Sequence, residues 1–133
     1  RLKNGALVLD DSYNSNPAAA RAALETLHHI AGKRTTVAVL GDMLELGKDE
    51  IGRHKELGRL ARQMGINYLI GVGPLSKYIV AESRMQNVEW ADTADKVMPK
   101  LKPLLKKNVV VLIKGSRSIG LDKVVEKLQP HNI

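Results

Sequence analysis

Cysteine is absent from this 133-residue sequence, so no disulfide and no thiolate metal ligand contributes, and zinc held by cysteine is excluded. Phenylalanine is absent as well. The aromatic residues are Tyr13, Tyr68, Tyr78 and Trp90, scattered rather than interleaved with the basic side chains. A surface for nucleic acid sets aromatic platforms beside its cations, which makes nucleic acid a weak use of the charge here. Apolar runs stay well short of the roughly 18 consecutive residues of a membrane span, and no secretory signal pattern opens the chain. The resulting expectation is a cytoplasmic protein with neither membrane nor nucleic acid among its partners.

What is present describes one ordinary domain. A hydrophobic content of 44% over 133 residues is enough to bury a core, with room for about five strand-helix units. The net charge of +7 favours anionic partners. Because Arg1 rather than methionine comes first, and an apolar run starts within six residues, the chain is expected to be a fragment of a larger protein.

The stretch that organises the sequence is residues 10–17, Asp-Asp-Ser-Tyr-Asn-Ser-Asn-Pro, between an apolar run at 6–9 and an alanine-rich helical pattern from Ala18. It reads as a strand-to-helix joint. Asn16 is a preferred N-cap and Pro17 suits the first helical position, so the helix is predicted to start at Pro17, its free N–H groups facing the loop. Carboxylates at a strand's carboxyl end can accept hydrogen bonds from ribose hydroxyls. Asp10 and Asp11 fit that role and equally the role of plain turn formers.

Further apolar runs at 37–40, 68–72, 88–90 and 109–113 alternate with helical patterns, which predicts an α/β fold with a mainly parallel sheet of about five to six strands and helices on both faces. Apolar stripes at Ala20, Ala23, Leu24, Leu27, Ile30 and Ala31, at Leu57, Leu60, Ala61 and Met64, and at Leu121, Val124, Val125 and Leu128 supply core faces. Gly32 and Gly65 are predicted left-handed caps. The pattern Ala94, Val97, Met98, Leu101 is interrupted by Pro99 and Pro103, predicting a kink or early stop. Lys100, Lys102, Lys106 and Lys107 cluster there as a solvated face, with a binding patch as the lesser reading. The one long loop spans residues 41–52.

In an open parallel sheet, ligands bind beyond the carboxyl ends of the strands. Those ends carry Asp10 and Asp11, Gly41 and Asp42, Gly71 and Gly73, Asp92, and the run Lys114-Gly115-Ser116-Arg117. Two cations and a hydroxyl around glycine suit a carboxylate or a phosphate. Phosphoryl-transfer motifs are missing: residues 41–48 have the wrong glycine spacing for a P-loop, residues 115–120 lack its lysine, and the pair Gly71, Gly73 lacks the dinucleotide fingerprint. His28, His29, His54 and His131 have no ligand spacing with acidic partners, so no metal site is expected. His54 is kept as an uncertain site residue, a surface or capping role being the more ordinary one.

Three stretches carry a family likeness, in order and across nearly the whole chain: DDSYNSNP at 10–17, VLGDMLELG at 39–47 with His54 downstream, and KGSR at 114–117. With them the chain resembles the C-terminal, Rossmann-like three-layer domain of the Mur ligases, most of all the branch that adds D-alanyl-D-alanine to UDP-N-acetylmuramoyl-tripeptide in peptidoglycan precursor synthesis. The resemblance implies two partner domains in the same enzyme, an N-terminal one for the UDP-sugar and a central one bearing the P-loop, which also holds most of the Mg2+ coordination. ATP would phosphorylate the tripeptide carboxylate, and the dipeptide amine would displace phosphate from the acyl phosphate. The resemblance assigns Asp11 to the ATP ribose, Tyr13, Asn14 and Asn16 to the nucleotide's neighbourhood, and Lys114, Ser116 and Arg117 to the incoming dipeptide. Asp42 and Glu45 would border the same cleft. No catalytic residue is expected within this chain, and alone it should be inactive. The rival readings are another Mur or folate-type ligase, a basic nucleic-acid-binding α/β module, and, disfavoured by the missing fingerprint, a dinucleotide-binding oxidoreductase domain.

Overall fold

The computed structural model describes Leu2 and residues 5–128; Arg1 and His131 lie outside the described residues. Five strands, β1 (Leu7–Asp11), β2 (Thr35–Gly41), β3 (Tyr68–Val72), β4 (Val88–Ala91) and β5 (Val109–Lys114), form one sheet in the order β1-β5-β2-β3-β4, every pairing parallel. Alternation along the central strands divides the core in two. Val37 and Val39 of β2 and Val111 and Ile113 of β5 face one layer, whereas Ala38, Leu40, Val110 and Leu112 face the other. Strands buried on both faces read as unbroken apolar runs, which is why they were legible. Asp10 and Asp11, expected in the joint, instead extend β1, because pairing with β5 continues through Asp11 opposite Lys114.

Helices α1 (Pro17–Ala31), α2 (Glu50–Gln63) and α3 (Ser76–Ser83) pack their stripes into the layer containing Leu24, Leu57 and Ile79. As predicted, α1 begins at Pro17, with the Asn16 side chain accepting from the Ala19 N–H at 2.8 Å. Gly32 and Gly65 adopt φ of 59° and 72°, as their capping positions require. The opposite layer is covered by α5 (Asp122–Leu128) and by the proline-bearing segment before β5. That segment is broken, as its prolines predict: a 3-10 turn Ala94–Lys96, one α turn α4 (Met98–Leu101) and a second 3-10 turn Lys102–Leu104.

The chain order places the site. From β1 through β4 every step moves one way across the sheet, so right-handed crossovers put α1 to α3 on one face. The step from β4 back to β5 reverses, and the chain leaving β5 turns to the other face. Loops leaving β1 and β2 therefore diverge from the loop leaving β5, opening a crevice at the carboxyl end of β5.

Candidate functional site

At the end of β1 the two aspartates separate in role. The Asp10 carboxylate accepts from the Ser12 N–H at 3.1 Å and the Ser12 hydroxyl at 2.7 Å, a local turn that steers the chain toward α1. Asp11 instead lies 3.0 Å from the Lys114 ammonium, whose side chain is only 3% exposed against 51% for Asp11. That ammonium also donates to the Asn14 carbonyl. A buried ammonium without partners is costly, so Asp11 and Asn14 are what allow β5 to end on a lysine. Lys114 thus binds two loops together, while half of the Asp11 carboxylate still faces solvent.

The loop after β2 is held at every residue. Asp42, 2% exposed, caps α3 with its carboxylate, accepting from the Leu75 N–H at 3.1 Å and from the Ser76 N–H and hydroxyl at 2.8 Å each. Gly73 permits this approach: a Cβ at its φ of +106° would lie 2.6 Å from the Asp42 carboxylate. The Asp42 carbonyl accepts from the Ser116 N–H at 3.2 Å, and the Ser116 hydroxyl accepts from the Leu44 N–H at 3.2 Å. Between them the Met43 N–H donates to His54 Nε2 at 2.9 Å, and His54 Nδ1 lies 2.6 Å from the Glu50 carbonyl. A carbonyl only accepts, which places the hydrogen on Nδ1 and leaves Nε2 as the acceptor. His54 is completely buried, which corrects the expectation of a surface histidine. One helical turn separates it from Glu50, and its outer nitrogen is spent on a loop amide rather than on solvent.

Asn14, Ser15, Asn16, Leu44, Glu45, Ser116, Arg117 and Ser118 line a cleft of about 790 Å³ at the predicted crevice. The Arg117 guanidinium stands 5.9 Å from the centre of the Tyr13 ring. The three stretches singled out in sequence thus converge, although Asp42 and Lys114 contribute as supports rather than as exposed cleft walls. Asp92, two strands beyond β2, is not part of this group; Lys96 donates to it at 3.1 Å and so holds its carboxyl below the usual carboxylate range. Sequence reasoning missed Ser12, Ser76, Leu44 and Ser118. The Asp42–Ser76 contact spans 34 residues and leaves no local pattern to find. Among the described residues no group of three His, Asp or Glu side chains is placed to hold a metal.

Taken together, the fold and its crevice define a doubly wound, parallel α/β domain with its ligand edge at the strand reversal. The narrower identity comes from sequence: residues 1–117 match the family described as Mur ligase, glutamate ligase domain, and the chain belongs to that family. It is 37% identical over 130 residues to the UDP-N-acetylmuramoyl-tripeptide–D-alanyl-D-alanine ligase of Buchnera aphidicola subsp. Baizongia pistaciae, covering 96% of this chain and 27% of that one. To the ligase of the same name from Escherichia coli K12 it is 36% identical over 131 residues, covering 97% of this chain and 28% of that one. The crystal structure of MurF ligase from Thermotoga maritima in complex with ADP is similar over 96% of this chain and 29% of that one, with a TM-score of 0.81 at 29% identity. The chain therefore spans less than a third of the length of these relatives.

Proposed function

We propose that this chain is the C-terminal domain of a three-domain, ATP-dependent ligase that joins D-alanyl-D-alanine to UDP-N-acetylmuramoyl-tripeptide in the cytoplasm. The observation that carries the reading is the meeting of the DDSYNSNP, GDMLELG and KGSR stretches around one cleft, in a chain 36% identical across nearly its full length to a ligase of that name. The half-exposed Asp11 carboxylate, oriented by Lys114, is suited to accept from the ribose hydroxyls of ATP, with Tyr13, Asn14 and Asn16 beside it. Ser116 and Arg117 face the dipeptide, and Asp42, His54 and Lys114 hold the loops that present them. Phosphoryl transfer to the tripeptide carboxylate belongs to the central domain, as does Mg2+, for which these residues offer no ligand set. This domain's part is positioning: it brings the amine and the acyl phosphate together, a contribution that can lower a barrier by several kcal/mol, of the order of 7–11 at best.

The test is a ligase assay on the full-length protein with UDP-muramoyl-tripeptide, ATP and D-alanyl-D-alanine, following phosphate. Release that depends on the dipeptide is expected. Release that requires a different amino acid would keep the scaffold and remove the substrate assignment.

A further inference from the structure

Resting on that functional reading, we propose that Glu45 and Arg117 form a two-ended subsite for a zwitterionic dipeptide, the Glu45 carboxylate taking its ammonium and the Arg117 guanidinium its carboxylate. Both side chains are exposed and line the same cleft. Among the described residues neither enters an ion pair, with the other or with anything else. Opposite charges left apart across one cleft are complementary to a ligand of inverse polarity.

The backbone fixes where these charges stand. Glu45 has a φ of 61°, a left-handed conformation that costs a side-chain-bearing residue roughly 1–2 kcal/mol. The neighbouring bonds impose it: Met43 is tied to His54, and Leu44 donates to the Ser116 hydroxyl. Glu45 follows one partner of that last bond and Arg117 follows the other. Their separation is thus set by a loop-to-loop hydrogen bond, not by the drift of two long side chains. An extended dipeptide separates its charged ends by about 7 Å, at roughly 3.3–3.6 Å per residue, about twice the span a single amino acid offers. The subsite selects for length as well as for charge.

The experiment uses the full-length protein and the variants Glu45→Gln and Arg117→Gln, with D-alanyl-D-alanine, its N-acetyl derivative and its C-terminal amide. Glu45→Gln keeps side-chain size, so the folded loop is retained. We expect it to raise the dipeptide KM about tenfold or more, the loss of one charge-assisted contact, with the KM for ATP and for UDP-muramoyl-tripeptide within about twofold. The N-acetyl dipeptide, which has no ammonium, should inhibit wild type and Glu45→Gln equally. The amide, which has no carboxylate, should inhibit wild type and Arg117→Gln equally. An unchanged dipeptide KM in Glu45→Gln overturns the proposal, as does an equal rise in the KM for ATP, or a parallel loss of affinity for the N-acetyl derivative. If the wild type turns over only another amine, the functional reading falls separately. Glu45→Gln is then read with that amine: a raised KM retains the ammonium end, and an unchanged one overturns it. Absence of turnover with every amine overturns both.

Discussion

Asp11 and His54 are both polar residues beside the cleft, but substitution should affect them in different currencies. Asp11 is half exposed and holds one face of its carboxylate clear of Lys114. Replacing it by Ala in the full-length enzyme should raise the ATP KM or lower kcat by about tenfold, the loss of a charge-assisted hydrogen bond, and unchanged kinetics would sink the ribose assignment. His54 is fully buried with both ring nitrogens engaged. His54→Ala should therefore cost stability first, about 3 kcal/mol from a stranded Met43 amide and an unfilled volume, read as a lowered urea midpoint. A loss below about 0.5 kcal/mol would show that the loop holds without this latch. The sequence signals for these residues differed in the same way. Asn16 was legible because a cap acts three residues away, on Ala19. Lys114 read as a free cation because its partner Asn14 is 100 residues distant, and no local pattern reveals that its charge is already spent.

At the scale of elements, α2 carries two glycines that are indistinguishable by composition and opposite in context. A Cβ on Gly52 would meet nothing within 4 Å, whereas one on Gly58 would lie 2.3 Å from the Ile79 carbonyl oxygen of α3. Gly52→Ala should stabilise the domain by about 0.5–1 kcal/mol, since alanine relieves glycine's entropy cost in a helix. Gly58→Ala should destabilise it by about 1–3 kcal/mol or more, because backbone rather than a side-chain tip must move to admit the methyl. Thermal melts of the two variants decide it; a shared sign would mean that α2 and α3 do not pack at this distance. Neither glycine was legible in this respect, because a close approach of helices is a tertiary fact. The strands and the broken α4 were legible, since burial on both faces and the two prolines act through the sequence itself. Even so, no local signal told that β5 would insert between β1 and β2, and it is this insertion that turns three separate loops into one cleft.

On the scale of the whole molecule, two cores share one sheet, so neither layer can open without exposing the strands that serve the other. Unfolding of this chain by urea should accordingly be a single transition. Trp90 makes this testable, because its indole N–H donates to the Gly73 carbonyl at 2.8 Å beneath the Lys77 ammonium, reporting on the edge strand farthest from β1. Its fluorescence and the far-ultraviolet circular dichroism should give coincident midpoints. Nucleotide then measures how much of the ligand site this chain holds alone. If it supplies only the ribose contact at Asp11, ADP should bind with Kd of about 1 mM or weaker, and about 1 mM ADP should add no more than about 0.4 kcal/mol to the unfolding free energy. A gain of about 2 kcal/mol or more would mean a Kd near 30 μM, tight enough that these residues must also grip the phosphates. In that case the division of labour between this domain and a central one would have to be redrawn, with the helix N-terminus after Asn16 as the first place to look for the added contacts.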